Sequence, residues 1–142
     1  MNRRQFNAML LSAAVLSLTG AAQAKELAPG LSEEMFKTLD PVVERLVKAY
    51  NEGNWKAFYA DYAKAMNALA TEQAFNSLYT NMYKKQFGTI KTRKLNTQRT
   101  TMPSEMNGLI VYDVTCSKKN GILAVNWMKE DGKWKVQQVQ LQ

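Results

Sequence analysis

The hydrophobic period of this chain changes once, close to Gly88, and that change limits the fold more than any motif does. Before it, apolar residues recur three or four apart, the spacing of a helix face; after it they alternate, the spacing of a half-buried strand. A chain that runs helices first and strands second has to lay its helices on a sheet, which makes an α+β domain.

Leu39, Val42, Val43, Leu46, Val47 and Tyr50 follow Asp40-Pro41, a capping residue and then the residue favoured at the first helical position, and predict a helix closed by Gly53. Asn54 predicts the cap of a second helix with Trp55, Phe58, Tyr59, Tyr62, Met66 and Leu69 on its apolar side. Thr71 predicts the cap of a third, carrying Phe75, Leu78, Tyr79, Met82 and Tyr83 and ending near Gly88. Aromatic stripes at this spacing read as core, not as a cofactor box.

From Thr89 onward the pattern predicts four strands, about 89–101, 109–117, 121–130 and 133–141, with a Met-Pro-Ser-Glu-Met-Asn-Gly loop over 102–108. Asp131-Gly132 is a strong hairpin signal. With Glu130 opposite Lys133, Trp127 faces Val136 and Val125 faces Gln138; a turn over 118–121 then sets Tyr112 against Trp127, Val114 against Val125 and Cys116 against Leu123. One face so collects Ile110, Tyr112, Val114, Cys116, Leu123, Val125, Trp127, Trp134 and Val136, while Val111, Asp113, Thr115, Asn126, Met128, Lys135 and Gln137 make a wetter one. The expected architecture is three N-terminal helices packed on one face of a curved four-stranded antiparallel sheet, a cone.

The first residues carry a different message. Arg3-Arg4 lead an uncharged stretch whose apolar centre, Ala8 to Leu18, is roughly half the length of about twenty residues that spans a bilayer. Small residues follow, with Ala22 and Ala24 framing an Ala-x-Ala cut. The arginine pair with Phe6 resembles the bacterial twin-arginine export signal, departing from it at Asn2 and at Asn7-Ala8; a general secretory signal is the alternative. The expectation is a cleaved signal over 1–24, a single domain over 25–142, and an exported protein, periplasmic or secreted, soluble after cleavage.

Composition narrows the chemistry. The chain has no histidine, which removes His-based acid–base catalysis, His-containing triads and the usual zinc, copper and haem ligand sets. Cys116 is the single cysteine, so no internal disulfide forms. The formal net charge of +7 keeps the domain basic after the signal arginines are removed. For an exported protein that charge suits anionic lipid, wall polymer or plain solubility, and nucleic acid is not the expected partner.

Four stretches, Asn51-Glu-Gly-Asn-Trp55, Thr71-Glu-Gln-Ala-Phe75, Phe87-Gly88 before a basic strand, and Glu130-Asp-Gly-Lys-Trp-Lys-Val136, together resemble the nuclear-transport-factor-2-like superfamily. Within it, the chain resembles the small exported bacterial families of unknown function, with the cystatin-like cone fold. The resemblance implies a cone whose mouth takes a small apolar ligand and whose outer sheet face makes a homodimer. It also covers isomerases and dehydratases, so fold alone does not select an activity.

Candidate ligand contacts are Tyr112, Trp127 and Gln138 on the inner face, with Tyr50 and Tyr62 from the helices. An isomerase-like site would draw a base and a donor from Asp61, Asp113, Tyr50, Tyr62 and Tyr112, but both aspartates read as solvated, and no catalytic residue is expected. Lys84, Lys85, Lys91, Arg93, Lys94 and Arg99 form an acid-free basic run suited either to an anionic envelope surface or to guarding an edge strand. Cys116 is expected to face the core, and Met102 with Met106 is too sparse for a metal site, so neither metal nor cofactor is expected. The sequence reading is therefore an exported, non-catalytic binding domain for a small apolar or amphipathic ligand or for self-association. A ligand-free interaction module comes second and an isomerase- or lyase-like enzyme third.

Overall fold

Ser32 opens the first helix, eight residues before the expected start at Asp40-Pro41. In a computed structural model, which describes residues 25–142, the Ser32 hydroxyl accepts a hydrogen bond from the Met35 amide at 3.0 Å, and Glu33 and Glu34 fill the first turn. Both features satisfy amides at the positive end of the helix dipole. The export-signal reading of residues 1–24 lies outside the described residues. A small hairpin that the sequence pattern did not announce, β1 (Glu26–Ala28) and β2 (Leu31–Ser32), leads into α1 (Glu33–Glu52). Pro41 sits inside α1, and Gly53 ends it in the left-handed conformation, at φ 71°.

Asn54 caps α2 as expected, its side chain accepting from the Ala57 amide, but α2 (Trp55–Phe58) is only one turn long. The chain then leaves the helical path. The Val136 amide donates to the Asp61 carbonyl and the Ala63 amide to the Val136 carbonyl, so Asp61 to Ala63 lie along a strand edge before a short 3-10 turn, Lys64–Met66. The aromatic spacing that predicted one long helix is thus shared between a helical turn and a strand-bound segment.

Thr71 caps the last helical run, again as expected. That run comprises α3 (Glu72–Phe75), a π-helical segment (Asn76–Lys84) and α4 (Lys85–Phe87). The wider π winding stacks Phe75, Tyr79 and Tyr83 in file, with successive ring centroids 5.5 Å apart. Gly88 then turns the chain with φ 80° and ψ −148°, a region open to glycine, and an added Cβ would lie 2.0 Å from the Ser117 hydroxyl.

The sheet holds four antiparallel strands in sequence order: β3 (Ile90–Leu95), β4 (Asn107–Cys116), β5 (Gly121–Glu130) and β6 (Lys133–Leu141). The first strand is shorter than the expected 89–101. After Leu95 the chain turns out, held by the Asn96 side chain accepting from the Gln98 and Arg99 amides, and Thr101 rejoins β4 opposite Leu109. The Asp131-Gly132 hairpin sets Glu130 against Lys133 and Trp127 against Val136, as expected.

Two register expectations need correction. Tyr112 pairs with Leu123 and Val114 with Gly121, so β4 and β5 are slipped by four residues from the expected register; Trp127 lies opposite Gly108 and Cys116 lies beyond β5. Four is even, so every side chain keeps its expected face. In β6 a bulge follows Val136, which moves Val139 opposite Val125 and Gln138 opposite Asn126. One extra residue is odd, so Gln138 turns out of the inner face and Val139 and Leu141 turn into it.

The inner face packs on the helices, as an α+β domain requires. Ile110, Tyr112, Val114, Leu123, Val125, Trp127, Val136, Val139 and Leu141 meet Leu39, Val43, Leu46, Tyr50, Phe58, Phe75 and Tyr79, all buried. The aromatic stripes are core, as read from their spacing: Phe58 and Phe75 are fully buried, with the Phe58 ring 4.5 Å from Tyr79 and 5.2 Å from Phe75. Met82 departs from that reading and stands exposed.

Candidate functional site

The inside of the cone is closed. Between Leu46, Tyr50, Phe58, Leu123, Val125 and Val139 the remaining cavity is about 10 Å³, room for no more than one water and without the polar partners a water needs. Tyr50 donates its hydroxyl to the Gly88 carbonyl at 2.8 Å, tying the end of α1 to the helix–strand junction. Tyr112 donates to Asp40 Oδ1 at 2.9 Å, and Arg93 binds the same carboxylate through Nε and a terminal nitrogen at 3.2 and 2.9 Å while also pairing with Glu44. Trp127 is fully buried, and its indole N–H has no partner among the described residues. Of the five expected ligand contacts, Tyr50, Tyr112 and Trp127 are therefore sealed in the core, the first two with their hydroxyls engaged.

Tyr62 and Gln138 are brought together elsewhere. A groove of about 320 Å³ opens along the β6 edge, between the strand-bound segment, the 3-10 turn and the start of the last helical run. It is lined by the apolar Met66, Leu69, Ala74 and Leu78, the tyrosines Tyr59, Tyr62 and Tyr79, and the carboxamides Gln137 and Gln138. Leu69 is 65% exposed on its rim, one of three strongly exposed large apolar side chains among the described residues. Among the described residues, none of the lining is charged.

Each wall has a local cause. The Glu130 carboxylate accepts from the Lys64 and Ala65 amides at 2.8 and 3.0 Å, holding the 3-10 turn against the end of β5. Those two bonds keep the carboxyl below its ordinary range. The turn α3 and the π winding after it set Ala74 and Leu78 beside the file of Phe75 and Tyr79, and the β6 bulge turns Gln137 and Gln138 toward the edge. Tyr79 donates to the Val139 carbonyl at 2.8 Å and lies 3.4 Å, hydroxyl to hydroxyl, from Tyr62. Burial pushes both phenols well above the usual tyrosine range, so both stay protonated throughout the ordinary pH range.

The other singled-out residues disperse. Asp61 binds Arg45 through both carboxylate oxygens, at 3.1 and 3.2 Å, and is not on a helix; Asp113 is exposed on the outer sheet face and accepts from the Asn96 side chain at 3.1 Å. The basic run does not form one surface. Arg93 points inward to Asp40, Lys84 donates to the Asn51 carbonyl above the Tyr50 ring, Lys94 lies opposite Asp113, and Lys85, Lys91 and Arg99 are exposed on separate segments. Asn51 brackets the edge strand instead, donating to the Ile90 carbonyl at 2.9 Å and accepting from the Ile90 amide at 2.8 Å. Cys116 is half-buried against the core and burial raises its thiol. Met102 is buried while Met106 is exposed, and no cluster of metal-ligating residues occurs among the described residues.

Sequence reasoning missed Gln137, Tyr59, Leu69 and Tyr79 as parts of a groove. One signal was there: Trp134, Val136, Val139 and Leu141 are spaced two, three and two apart, and the odd step marks the bulge.

Neither a known family profile nor a curated protein sequence matches this chain. Among solved structures it is similar to an NTF-2-like protein of unknown function from Shewanella oneidensis MR-1, at 15% identity and a TM-score of 0.46 over 74% of this chain and 96% of that one. It is also similar to Bd1075 of Bdellovibrio bacteriovorus, at 14% identity and a TM-score of 0.47 over 77% of this chain, which spans 40% of that chain's length. A DUF4783 family protein from Bacteroides uniformis matches at 15% identity and a TM-score of 0.41, over 69% of this chain and 93% of that one.

Proposed function

We propose that this protein is an exported binding domain that takes a small amphipathic molecule in the groove beside β6, without transforming it. The observation that carries the reading is the pairing of a closed cone interior, about 10 Å³, with a groove of about 320 Å³ whose lining is mostly apolar and aromatic with two carboxamides and the tyrosine hydroxyls among it. Ligand sites start at roughly 300 Å³ and combine apolar walls with a few placed polar groups. A rim leucine that is 65% exposed gains from being covered. Catalysis has little support, since Asp61 is held by Arg45 and Asp113 faces water.

The test fills the groove. Ala74 lines it from the first turn of α3, where a larger side chain leaves the Thr71 cap untouched. Calorimetric titration with 2-naphthol, a neutral amphipathic probe, is expected to show saturable binding that Ala74→Trp abolishes while the circular dichroism spectrum is kept. Binding that survives the tryptophan places the ligand elsewhere and defeats the reading.

Self-association is the second reading. Leu109, Ile122 and Met128, each half-buried, put apolar surface on the outer sheet face, with Asn126 and Gln140 beside them. A second copy of the same sheet face is the occupant, and sedimentation velocity on Ile122→Lys against the parent chain tests it: a parent dimer that the lysine dissociates supports it, and a parent monomer at high concentration rejects it.

A further inference from the structure

A tyrosine hydroxyl owns one proton, and in this groove the allocation of two such protons is fixed. Tyr79 gives its proton to the Val139 carbonyl, a 2.8 Å bond within the buried core. In the Tyr62–Tyr79 contact Tyr79 has nothing left to donate, so Tyr62 is the donor there. The chain of hydrogen bonds runs one way, from Tyr62 to Tyr79 to Val139, and leaves the Tyr62 oxygen with lone pairs and no proton for the groove it lines.

From this we infer that the groove selects ligands carrying a neutral hydrogen-bond donor, a hydroxyl or an amide N–H attached to an apolar body, over ligands that present only acceptors or a carboxylate. The inference rests on the groove being the binding site and names the chemistry that site prefers. An acceptor-only ligand forces Tyr62 to turn its proton away from Tyr79, and a carboxylate meets an acceptor in a lining that has no cation among the described residues. A donor completes the chain as it stands. Gln137 and Gln138, each with both donor and acceptor groups, serve either kind of ligand and so do not set the preference.

The test uses three probes of one shape: 2-naphthol, 2-methoxynaphthalene and 2-naphthoate, titrated calorimetrically into the parent protein, Tyr62→Phe and Tyr79→Phe. The parent is expected to bind 2-naphthol roughly threefold to tenfold more tightly than the methyl ether, the range of one net hydrogen bond, and the carboxylate weakest. Tyr62→Phe should bring 2-naphthol down to the level of the ether, whose own affinity stays within about twofold. Tyr79→Phe removes the acceptor that holds the Tyr62 proton, so it should raise the ether toward 2-naphthol.

Equal binding of 2-naphthol and its ether by the parent, with both lost in Ala74→Trp, overturns the donor preference and leaves the groove standing. Tyr79→Phe that preserves the full preference overturns the proton allocation. No probe binding in the groove overturns both.

Discussion

Replacing Asn51 by Ala removes the two bonds that close the free edge of β3. Asn51 Nδ2 lies 2.9 Å from the Ile90 carbonyl and its Oδ1 accepts from the Ile90 amide at 2.8 Å, so one carboxamide occupies the place of a neighbouring strand. Each neutral bond contributes about 1 kcal/mol net, and a half-buried amide and carbonyl left partly desolvated add to the loss, for a destabilisation of about 2 kcal/mol. At a urea slope of about 1.5–2 kcal/mol/M for a chain of this size, the unfolding midpoint should fall by about 1 M with the slope unchanged. Asn51→Asp separates bonding from packing. It keeps the shape but sets an oxygen against the Ile90 carbonyl, and the loss should be at least as large as for alanine. An alanine variant within about 0.5 kcal/mol of the parent, or an aspartate variant as stable as the parent, would refute the view that this carboxamide satisfies the edge.

Two further substitutions test the elements that frame the site. Gly88→Ala puts a methyl 2.0 Å from the Ser117 hydroxyl at a positive φ, so it should cost more than about 2 kcal/mol in urea unfolding, and a neutral effect would contradict the close approach of the 117–118 loop. Glu130→Gln tests the latch on the 3-10 turn. The folded carboxyl titrates below its ordinary value of 4.5, so its contribution is full above that value and disappears as pH falls through the folded one. The stability gap between parent and variant should therefore be widest near neutrality and narrow only as pH falls below the ordinary carboxyl value of 4.5; a gap independent of pH argues against the two amide bonds.

Several parts of this fold could be read directly from the chain. Asn54, Thr71, Gly53 and Gly88 act where capping chemistry puts them, and the Asp131-Gly132 turn sets its register because the turn type leaves no freedom. Other parts were invisible because local pattern is shared between alternatives. Asp40-Pro41 looks like a helix start, yet Ser32 supplies the cap, and Asp40 is engaged with Arg93 and Tyr112, 53 and 72 residues away in sequence. Tyr59 and Tyr62 keep a helical spacing although the chain between them leaves the helix, because pairing of Asp61 and Ala63 with Val136 is a tertiary event. The site suffered most. One extra residue in β6 moved Gln138 from the inner face to the groove, while the even slip between β4 and β5 moved no side chain to the wrong face.

The central claim is that a ligand lodges beside β6 and not inside the cone. Methyl-resolved NMR during titration with 2-naphthol examines both places in one experiment, since Met66, Leu69 and Leu78 report on the groove and Leu46, Leu123, Val125 and Val139 on the interior. The account predicts saturable shifts of the first set with the second unmoved. Shifts that begin at the interior methyls, with the groove silent, contradict it.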